Sequence, residues 1–229
     1  MSALRSAFDA KEENLEIGVD EAGRGPMFGR VYAAAVILPK ETSVFRHEWM
    51  KDSKKFHSEK KIAEVAHYIK ENAIAWAVAY EDETVIDEVN IRNATLKAMH
   101  KAIKEVMYDD QDHSLPYHIL VDGNDFKMVT EITNKGSTIV GVRHTCIEGG
   151  DNTYSSIAAA SILAKVGRDA YIREMCADHP EFIERYDLLK NKGYGTKKHM
   201  DGIKEYGITP FHRKTFGICK TFGICKTFV

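Results

Sequence analysis

The chain has 229 residues, of which 44% are apolar and 29% are charged, a composition typical of a folded globular protein. Its 32 Lys and Arg residues and 34 Asp and Glu residues give a formal net charge of −2, which excludes a polybasic protein held to nucleic acid by total charge. The longest uncharged apolar runs, at 31–38 and 73–80, are far shorter than the roughly 20 residues of a membrane helix. We therefore expect a soluble cytoplasmic protein with no membrane association.

The first predicted elements are a hairpin and a helix. Residues 16–21 and 28–38 are predicted to be strands, and the glycine-rich turn between them favours a hairpin. A helix is predicted from 58 to 72, with Ser58 as a candidate N-cap. Its apolar residues fall on one face at helical spacing: Ile62, Val65, Ala66 and Ile69.

The later elements alternate between strands and helices. The sequence predicts a strand at 73–80, one long or two shorter amphipathic helices at 83–107, a buried strand at 117–123, a weak strand at 137–144, and an alanine-rich buried helix at 153–176. Short helices and loops are expected after that. This order indicates an α/β domain around a mixed sheet. Because no Pro-, Gly- or Ser-rich linker interrupts the chain, we expect one domain with a small helical C-terminal addition.

Positive charge is concentrated in two segments. Residues 187–229 contain nine Lys or Arg and three Asp or Glu, and residues 46–61 contain six and three. Solvated helix faces would explain either segment alone. Tyr194 adds an aromatic ring within the larger segment, a combination that nucleic-acid surfaces use.

Four carboxylates occupy positions that favour a metal site. Asp20 and Glu21 end an apolar strand, Asp122 ends another, and Asp151 precedes the alanine-rich helix. Carboxylates without matching His or Cys suit a hard cation such as Mg²⁺ or Mn²⁺. Ordinary local roles also remain open, because Asp151 would serve as a helix N-cap and Asp122 as part of a turn.

The adjacency of Asp20 and Glu21 raises a geometric objection to a shared site. Successive residues of a strand point to opposite faces of the sheet. The two side chains are therefore expected to meet only if the strand breaks, and Gly23 offers a position for such a break.

Taken together, these segments resemble the type 2 ribonucleases H, specifically the bacterial ribonuclease HII family. The matching segments occur in family order: VDEAGRGPMFGRVYAAAVIL (19–38), KDSKKFHSEKK (51–61), IDEVNIRNATLKAM (86–99), LVDGN (120–124), GGDNTYSSIAAASILAKVGRD (149–169), NKGYGTKKHM (191–200) and FHRKTF (211–216). The resemblance implies a ribonuclease-H-like α/β fold, with a mixed five-stranded sheet flanked by helices and a small C-terminal helical extension. We expect an N-terminal extension at 1–14, a catalytic domain at 15–213 and a repetitive KTFGIC tail at 214–229.

The resemblance also implies the site residues. The catalytic, metal-binding carboxylates of the family correspond to Asp20, Glu21, Asp122 and Asp151. The turn that contacts the ribonucleotide through backbone groups corresponds to Gly23, Arg24 and Gly25, and the tyrosine that stacks on the next sugar corresponds to Tyr194. Lys54 and Lys55 match a basic segment that meets phosphates. One departure is Gly149, where many relatives have lysine before the Gly-Asp pair.

The implied activity is metal-dependent endonucleolytic cleavage of RNA. We expect Mg²⁺ or Mn²⁺ as cofactor and two-metal hydrolysis that leaves 3′-OH and 5′-phosphate ends. The expected substrates are RNA–DNA hybrids and DNA containing single ribonucleotides, nicked on the 5′ side, with roles in ribonucleotide removal and RNA primer removal. A monomer is expected. The alternatives are ribonuclease HIII, which cuts hybrids without junction preference, and a non-catalytic hybrid-binding module on the same fold.

Overall fold

A computed structural model describes residues 4–109, 116–133 and 138–224 of the chain. Within these residues the strands are β1 (Leu15–Ala22), β2 (Val31–Ile37), β3 (Ala75–Glu81), β4 (Tyr117–Asp122), β5 (Thr130–Thr133), β6 (Thr138–Gly141) and β7 (Arg143–Ile147). The α-helices are α1 (Glu59–Asn72), α2 (Glu83–Asp109), α3 (Ser155–Asp178), α4 (Glu181–Tyr186), α5 (Leu188–Asn191) and α6 (Lys197–Tyr206).

The central element is a mixed five-stranded sheet in the order β3-β2-β1-β4-β7. Strands β1, β2 and β3 are antiparallel neighbours, whereas β1, β4 and β7 run parallel to one another. Strands β5 and β6 form a separate hairpin. The mixed sheet predicted from the element order and the five strands implied by the resemblance are confirmed, and the parallel part of the sheet brings the carboxyl ends of β1 and β4 to the same edge.

Helices cover both faces of the sheet. Alternate residues of β1, such as Ile17 and Val19, pack in one apolar cluster with α2. The opposite face packs against α1 and α3, where the alanine-rich sequence of α3 permits close approach to the sheet. A third cluster joins the start of β2 and the end of α3 to α4, α5 and α6, so the predicted helical C-terminal addition shares a core with the sheet.

Several predicted elements are confirmed near their expected bounds. Helix α1 begins after Ser58, whose hydroxyl accepts a hydrogen bond from the amide of Lys61. The sequence predicted one long helix or two shorter ones at 83–107. The structure has two helical segments within α2, joined at Asn90, which has a φ of 69°. The Asn90 carboxamide accepts from the amide of Asn93, so it caps the second segment.

Two strand predictions differ from the structure. Strand β2 begins at Val31, not at 28, because the preceding backbone pairs elsewhere: the amide of Gly29 donates to the carbonyl of Phe211. The single strand predicted at 137–144 is instead β6 and β7, separated at Val142, whose amide donates to Val129. The β5 strand was not predicted, and residue 137 lies outside the described residues.

The described part of the C-terminal tail packs on the domain. Cys219 is buried in the third apolar cluster, and Ile224 forms a bridge with Ile208. None of the helices in the described ranges is long and apolar enough to cross a membrane.

Candidate active site

The four predicted carboxylates come from the ends of two neighbouring parallel strands and from the start of one helix. Asp20 and Glu21 lie near the end of β1, and Asp122 is the last residue of β4. Asp151 lies in a short 3-10 helix directly before α3. Asp122 connects these elements, because its Oδ1 accepts from the amide of Gly150 at 2.7 Å and from that of Asp151 at 3.4 Å.

Strand geometry separates Asp20 from Glu21. Asp20 is on the face toward α3, where Ser161 hydrogen-bonds its carboxylate. Glu21 is on the opposite side, beside α2, and pairs with Arg24 at 3.2 Å. The strand ends at Ala22, and the expected break at Gly23 is confirmed, since Gly23 has a φ of 92°. Both carboxylates still line one cleft together with Asp122, since all three lie at the strand ends.

Burial and mutual repulsion shape the charge of this cluster. The pKa of Asp20 is raised well above its usual value by burial, and then by the charges of Glu21 and Asp122. Burial also raises the pKa of Glu21, although Arg24 opposes that shift. The pKa of Asp151 is raised by burial and by Asp122. The acids therefore favour a nearby positive charge.

The four carboxylates are the kind of ligand that binds a hard divalent cation. Several of their oxygens, however, already accept hydrogen bonds from other groups of the protein. In the described part of the chain, no three carboxylate, imidazole or thiol side chains are grouped closely enough to hold a metal ion as they stand. Arg24 pairs with Glu21, backbone amides bind Asp122, and Asn152 donates to Asp151 at 2.8 Å. A divalent cation would relieve the repulsion that raises the pKa of Asp20, and oxygen ligands of this kind are those that Mg²⁺ and Mn²⁺ prefer.

The Gly-Arg-Gly turn and the predicted tyrosine lie side by side. Gly23 has a φ of 92°, and a Cβ there would lie 2.2 Å from the Arg168 Nε atom, so glycine is required. A Cβ on Gly25 would lie 3.4 Å from the Tyr194 ring. Tyr194 is half exposed and lines the same cleft as Asp20, Glu21 and Asp122. The fold thus places residue 194 beside residue 25, next to the carboxylates.

Arg213, which the sequence analysis assigned no role, holds the turn in place. Its guanidinium is fully buried and donates to the carbonyls of Gly29 at 2.8 Å, Arg24 at 2.9 Å and Gly23 at 2.6 Å. Burial lowers its pKa to about 9. The planar fork of arginine matches several carbonyls at once. The sequence signal was the matched FHRKTF segment, but nothing in that segment identified the partners of its arginine.

Arg168 is a second buried cation that the sequence analysis did not assign. It donates to the carbonyls of Lys192 at 2.8 Å and Phe28 at 3.4 Å, and its Cζ lies 5.9 Å from the centre of the Tyr194 ring. An arginine in the middle of an apolar helix is the signal that indicates such a role, because a buried charge needs several partners.

Basic groups surround the cleft, which has a volume of about 480 Å³. Its lining includes Arg24, Lys54, Lys165, Arg168, Lys190 and Lys192. Burial acts to lower the pKa of Lys54, but the charges of Asp52, Asp151, Asp20 and Asp122 raise it overall. Lys55 lies on the outer side, where its Nζ donates to Asn152. Both predicted lysines are therefore beside the carboxylates, in a position suited to phosphate.

Comparison with known proteins identifies the family. The sequence profile described as ribonuclease HII matches residues 17–219. The chain belongs to the ribonuclease HII family. A curated ribonuclease HII from Bacteroides fragilis is 45% identical over 207 residues, which is 90% of this chain and 91% of the relative. The predicted family is confirmed, and the protein is an endoribonuclease of the ribonuclease H type.

Solved structures agree on the fold. The ribonuclease H2 of Pyrococcus horikoshii has a TM-score of 0.68 with 22% identity, over 90% of this chain and 95% of that one. A ribonuclease HIII, Bst-RNase HIII, solved in complex with Mn²⁺, has a TM-score of 0.60 with 16% identity, over 86% of this chain and 71% of that one. These likenesses confirm the predicted ribonuclease-H-like fold.

Proposed function

We propose that this endoribonuclease cleaves the RNA strand of RNA–DNA hybrids and nicks DNA on the 5′ side of an embedded ribonucleotide, leaving 3′-OH and 5′-phosphate ends. One observation supports the second activity: Gly25 and the Tyr194 ring are neighbours in the cleft that Asp20, Glu21 and Asp122 line, and a Cβ on Gly25 would lie 3.4 Å from that ring. A hydroxyl-sensing turn, a sugar-sensing ring and the carboxylates are thus adjacent.

The carboxylates are proposed to hold the cofactor and to position the scissile phosphate. Asp20, Glu21, Asp122 and Asp151 supply oxygens suited to two divalent ions, Mg²⁺ or Mn²⁺. When bound, such ions activate water and stabilise the charge of the leaving oxygen. Arg24, which pairs with Glu21 at 3.2 Å, is positioned to exchange that carboxylate for substrate phosphate.

Substrate selection is proposed to depend on the 2′-hydroxyl, the group that distinguishes RNA from DNA at a given sugar. The backbone of Gly23, Arg24 and Gly25 is expected to approach this hydroxyl, because glycine leaves no Cβ in the way. Tyr194 is expected to pack on the next sugar when that sugar lacks the hydroxyl. A ribonucleotide followed by DNA would then fit both the backbone of the Gly-Arg-Gly turn and the Tyr194 ring.

Lys54 and Lys55 are proposed to contact phosphates, since both lie beside the carboxylates. We propose residues 15–213 as the catalytic unit, flanked by an N-terminal extension at 1–14 and a tail at 214–229. The enzyme is proposed to act as a cytoplasmic monomer without membrane association, in removing ribonucleotides from DNA and in removing RNA primers.

The decisive experiment compares two substrates. A DNA duplex with one embedded ribonucleotide and a long RNA–DNA hybrid are incubated with the protein and Mg²⁺, Mn²⁺ or a chelator. We expect nicking 5′ of the single ribonucleotide with either ion and no cleavage with the chelator. Cleavage of the hybrid alone would favour the ribonuclease HIII alternative, and binding without cleavage would favour a non-catalytic module.

The role of Tyr194 is tested on the same substrates. Tyr194→Ala is expected to impair nicking at the single ribonucleotide by about tenfold more than cleavage of the long hybrid, the scale of one lost stacking contact. Tyr206→Ala is a matched control, because this exposed tyrosine at the end of α6 pairs with Arg185 of α4, outside the cleft lining. Equal losses on both substrates in Tyr194→Ala would refute the junction-sensing role.

A further inference from the structure

Two buried histidines outside the carboxylate cluster form a continuous chain of hydrogen bonds that ends at Tyr194. The Thr209 amide donates to His212 Nδ1 at 3.0 Å, His212 Nε2 faces His199 Nε2 at 3.0 Å, and His199 Nδ1 faces the Tyr194 carbonyl oxygen at 3.0 Å. Neither side chain has any exposed surface. The chain of contacts therefore runs through the protein interior.

The two ends of this chain fix the position of every proton along it. A backbone amide can only donate, so His212 Nδ1 accepts and His212 carries its proton on Nε2. That proton is donated to His199 Nε2, so His199 carries its own proton on Nδ1. A carbonyl can only accept, and the Nδ1 proton of His199 points at that of Tyr194. Both rings are thus neutral and each has a single tautomer.

The surroundings of the pair favour the neutral state. His212 is packed by the rings of Phe28 and Tyr186, whose centres lie 5.1 and 5.0 Å from its own. Burial lowers the pKa of His199 and lowers that of His212 further. A proton added to either ring would face another hydrogen-bond donor. The hydrogen-bond chain therefore has a single arrangement of protons.

The carbonyl at the end of the chain belongs to a residue whose ring is exposed. The Tyr194 carbonyl accepts from the amide of Thr196 at 2.8 Å as well as from His199. The Tyr194 side chain is half exposed and has no hydrogen bond of its own holding it in the described structure. Besides the buried Arg168 guanidinium, 5.9 Å from the ring centre, the hydrogen bonds that fix the Tyr194 backbone set where this ring lies relative to Gly25.

We propose that His199 and His212 are positioning residues for Tyr194. Their hydrogen bonds hold the Tyr194 backbone so that its ring packs beside Gly25, and this spacing sets the preference for a ribonucleotide followed by DNA. The effect on selectivity rests on the proposed function of Tyr194, whereas the effect on ring position does not. His212 is followed directly by Arg213, which binds the carbonyls of Gly23 and Arg24. One segment therefore supports both the Gly-Arg-Gly turn and Tyr194.

A matched pair of amides at position 199 tests the proposal. His199→Asn carries an amide where Nδ1 stood and retains a donor toward the Tyr194 carbonyl, whereas His199→Gln carries the same amide one methylene further away. The measured quantities are kcat/KM for the single-ribonucleotide duplex divided by that for the long hybrid, and the NMR signal of the Tyr194 ring in protein labelled at tyrosine Cε. We expect His199→Gln to lower the ratio about fivefold, as for one lost neutral hydrogen bond, and to shift the ring signal. His199→Asn should keep the ratio within about twofold.

A second buried histidine provides the control. His118 is also fully buried and bonds to Thr145 at 2.8 Å, but it lies at the start of β4, about 13 Å along the strand from Asp122. His118→Gln is expected to lower the thermal midpoint while leaving the ratio and the Tyr194 signal unchanged. A purely structural role for His199 would instead give His199→Gln the same outcome as this control, and that result overturns the proposal.

Two further outcomes separate this proposal from the proposed function. If Tyr194→Ala leaves the substrate ratio unchanged, the sensing role of Tyr194 fails, and the ring signal in His199→Gln still decides whether His199 positions it. If Tyr194→Ala lowers the ratio but His199→Gln moves neither ratio nor signal, the positioning role alone fails. His212→Asn, whose amide stands where Nδ1 stood and which therefore lacks the Nε2 donor toward His199, is an independent variant expected to change both readouts in the same direction as His199→Gln.

Discussion

At the scale of the residue, Asp122 connects the proposed metal-binding carboxylates. Its Oδ1 accepts from the Gly150 amide that leads into α3, and its charge contributes to the raised pKa of Asp20 and of Glu21. Asp122 also lines the clefts on both sides of the sheet edge. A residue in that position affects every other acid of the group.

Replacing Asp122 by its isosteric amide tests this role. Asp122→Asn should reduce metal-dependent cleavage by more than about 100-fold, because a ligand to the proposed cofactor is lost. Affinity for an RNA–DNA hybrid, measured by fluorescence anisotropy without divalent ions, should stay within about threefold. Asp178→Asn is the control, since Asp178 is an exposed carboxylate at the end of α3, outside the lining of both clefts. Full activity in Asp122→Asn would overturn the site assignment.

At the scale of the element, the contact between β1 and α3 sets the positions of Asp20 and Ser161. Gly18 in β1 lies directly against the first turn of α3, where a Cβ would come 2.2 Å from the Ser156 carbonyl carbon. A backbone carbonyl cannot move away from an added Cβ by changing its rotamer, so the helix itself would have to shift. The close approach also fits the alanine-rich face of α3, which is buried against the sheet.

Gly18→Ala should therefore force α3 away from β1. We expect the free energy of unfolding to fall by about 1–3 kcal/mol, the usual cost of overpacking, as measured by urea denaturation. Gly223→Ala is the matched control, because a Cβ at Gly223 would meet nothing within 4 Å. If Gly18→Ala were as stable as Gly223→Ala, the close packing of β1 on α3 would be wrong.

At the scale of the whole molecule, a net charge of −2 conceals two opposed regions. The acids concentrate at the strand ends, while six basic side chains line the same cleft. A phosphate backbone can therefore meet positive charge close to the carboxylates, which total charge alone does not reveal. The balanced composition is thus compatible with a nucleic-acid substrate.

Buried neutral histidines make the stability of the whole fold depend on pH. Because the pKa values of His199 and His212 are lowered, the unfolded chain binds protons below about pH 6.5 that the folded protein does not. The contribution of these two histidines to the free energy of unfolding should then fall as the pH drops from 7.5 to 5.5, by up to about 1.4 kcal/mol per pH unit for each histidine. Urea denaturation across this range measures the slope.

Comparison of the wild type with a double variant isolates the contribution of His199 and His212 to the pH dependence of the unfolding free energy. In the double variant His199→Phe/His212→Phe the slope between pH 7.5 and 5.5 should be smaller than in the wild type, since carboxylates such as Asp20 remain in both proteins. His67→Gln, which alters an exposed histidine paired with Glu71, should keep the wild-type slope. An unchanged slope in the double variant would contradict neutral burial of the pair.

Local patterns in the sequence were sufficient for most elements and for the family. The N-cap at Ser58, the strand ending in Asp122 and the alanine-rich helix follow from periodicity and composition, which act over a few neighbouring residues. The prediction that a strand begins at residue 28 was wrong because the Gly29 amide donates to the Phe211 carbonyl. No local sequence pattern indicates a partner so distant in the chain.

The fold class, the family and the proposed carboxylates could all be predicted from the amino-acid sequence, because they depend on residue types in a fixed order. The folded structure was needed to show that Asp20, Glu21 and Asp122 line one cleft, that Gly25 lies beside Tyr194, and that Arg213 holds the carbonyls of Gly23 and Arg24. The physical reason is separation along the chain. Arg213 and Gly23 are 190 residues apart, and the histidine pair reaches Tyr194 only after α6 has packed on the domain. Contacts of that kind form when apolar surfaces pack together, and no single segment encodes them.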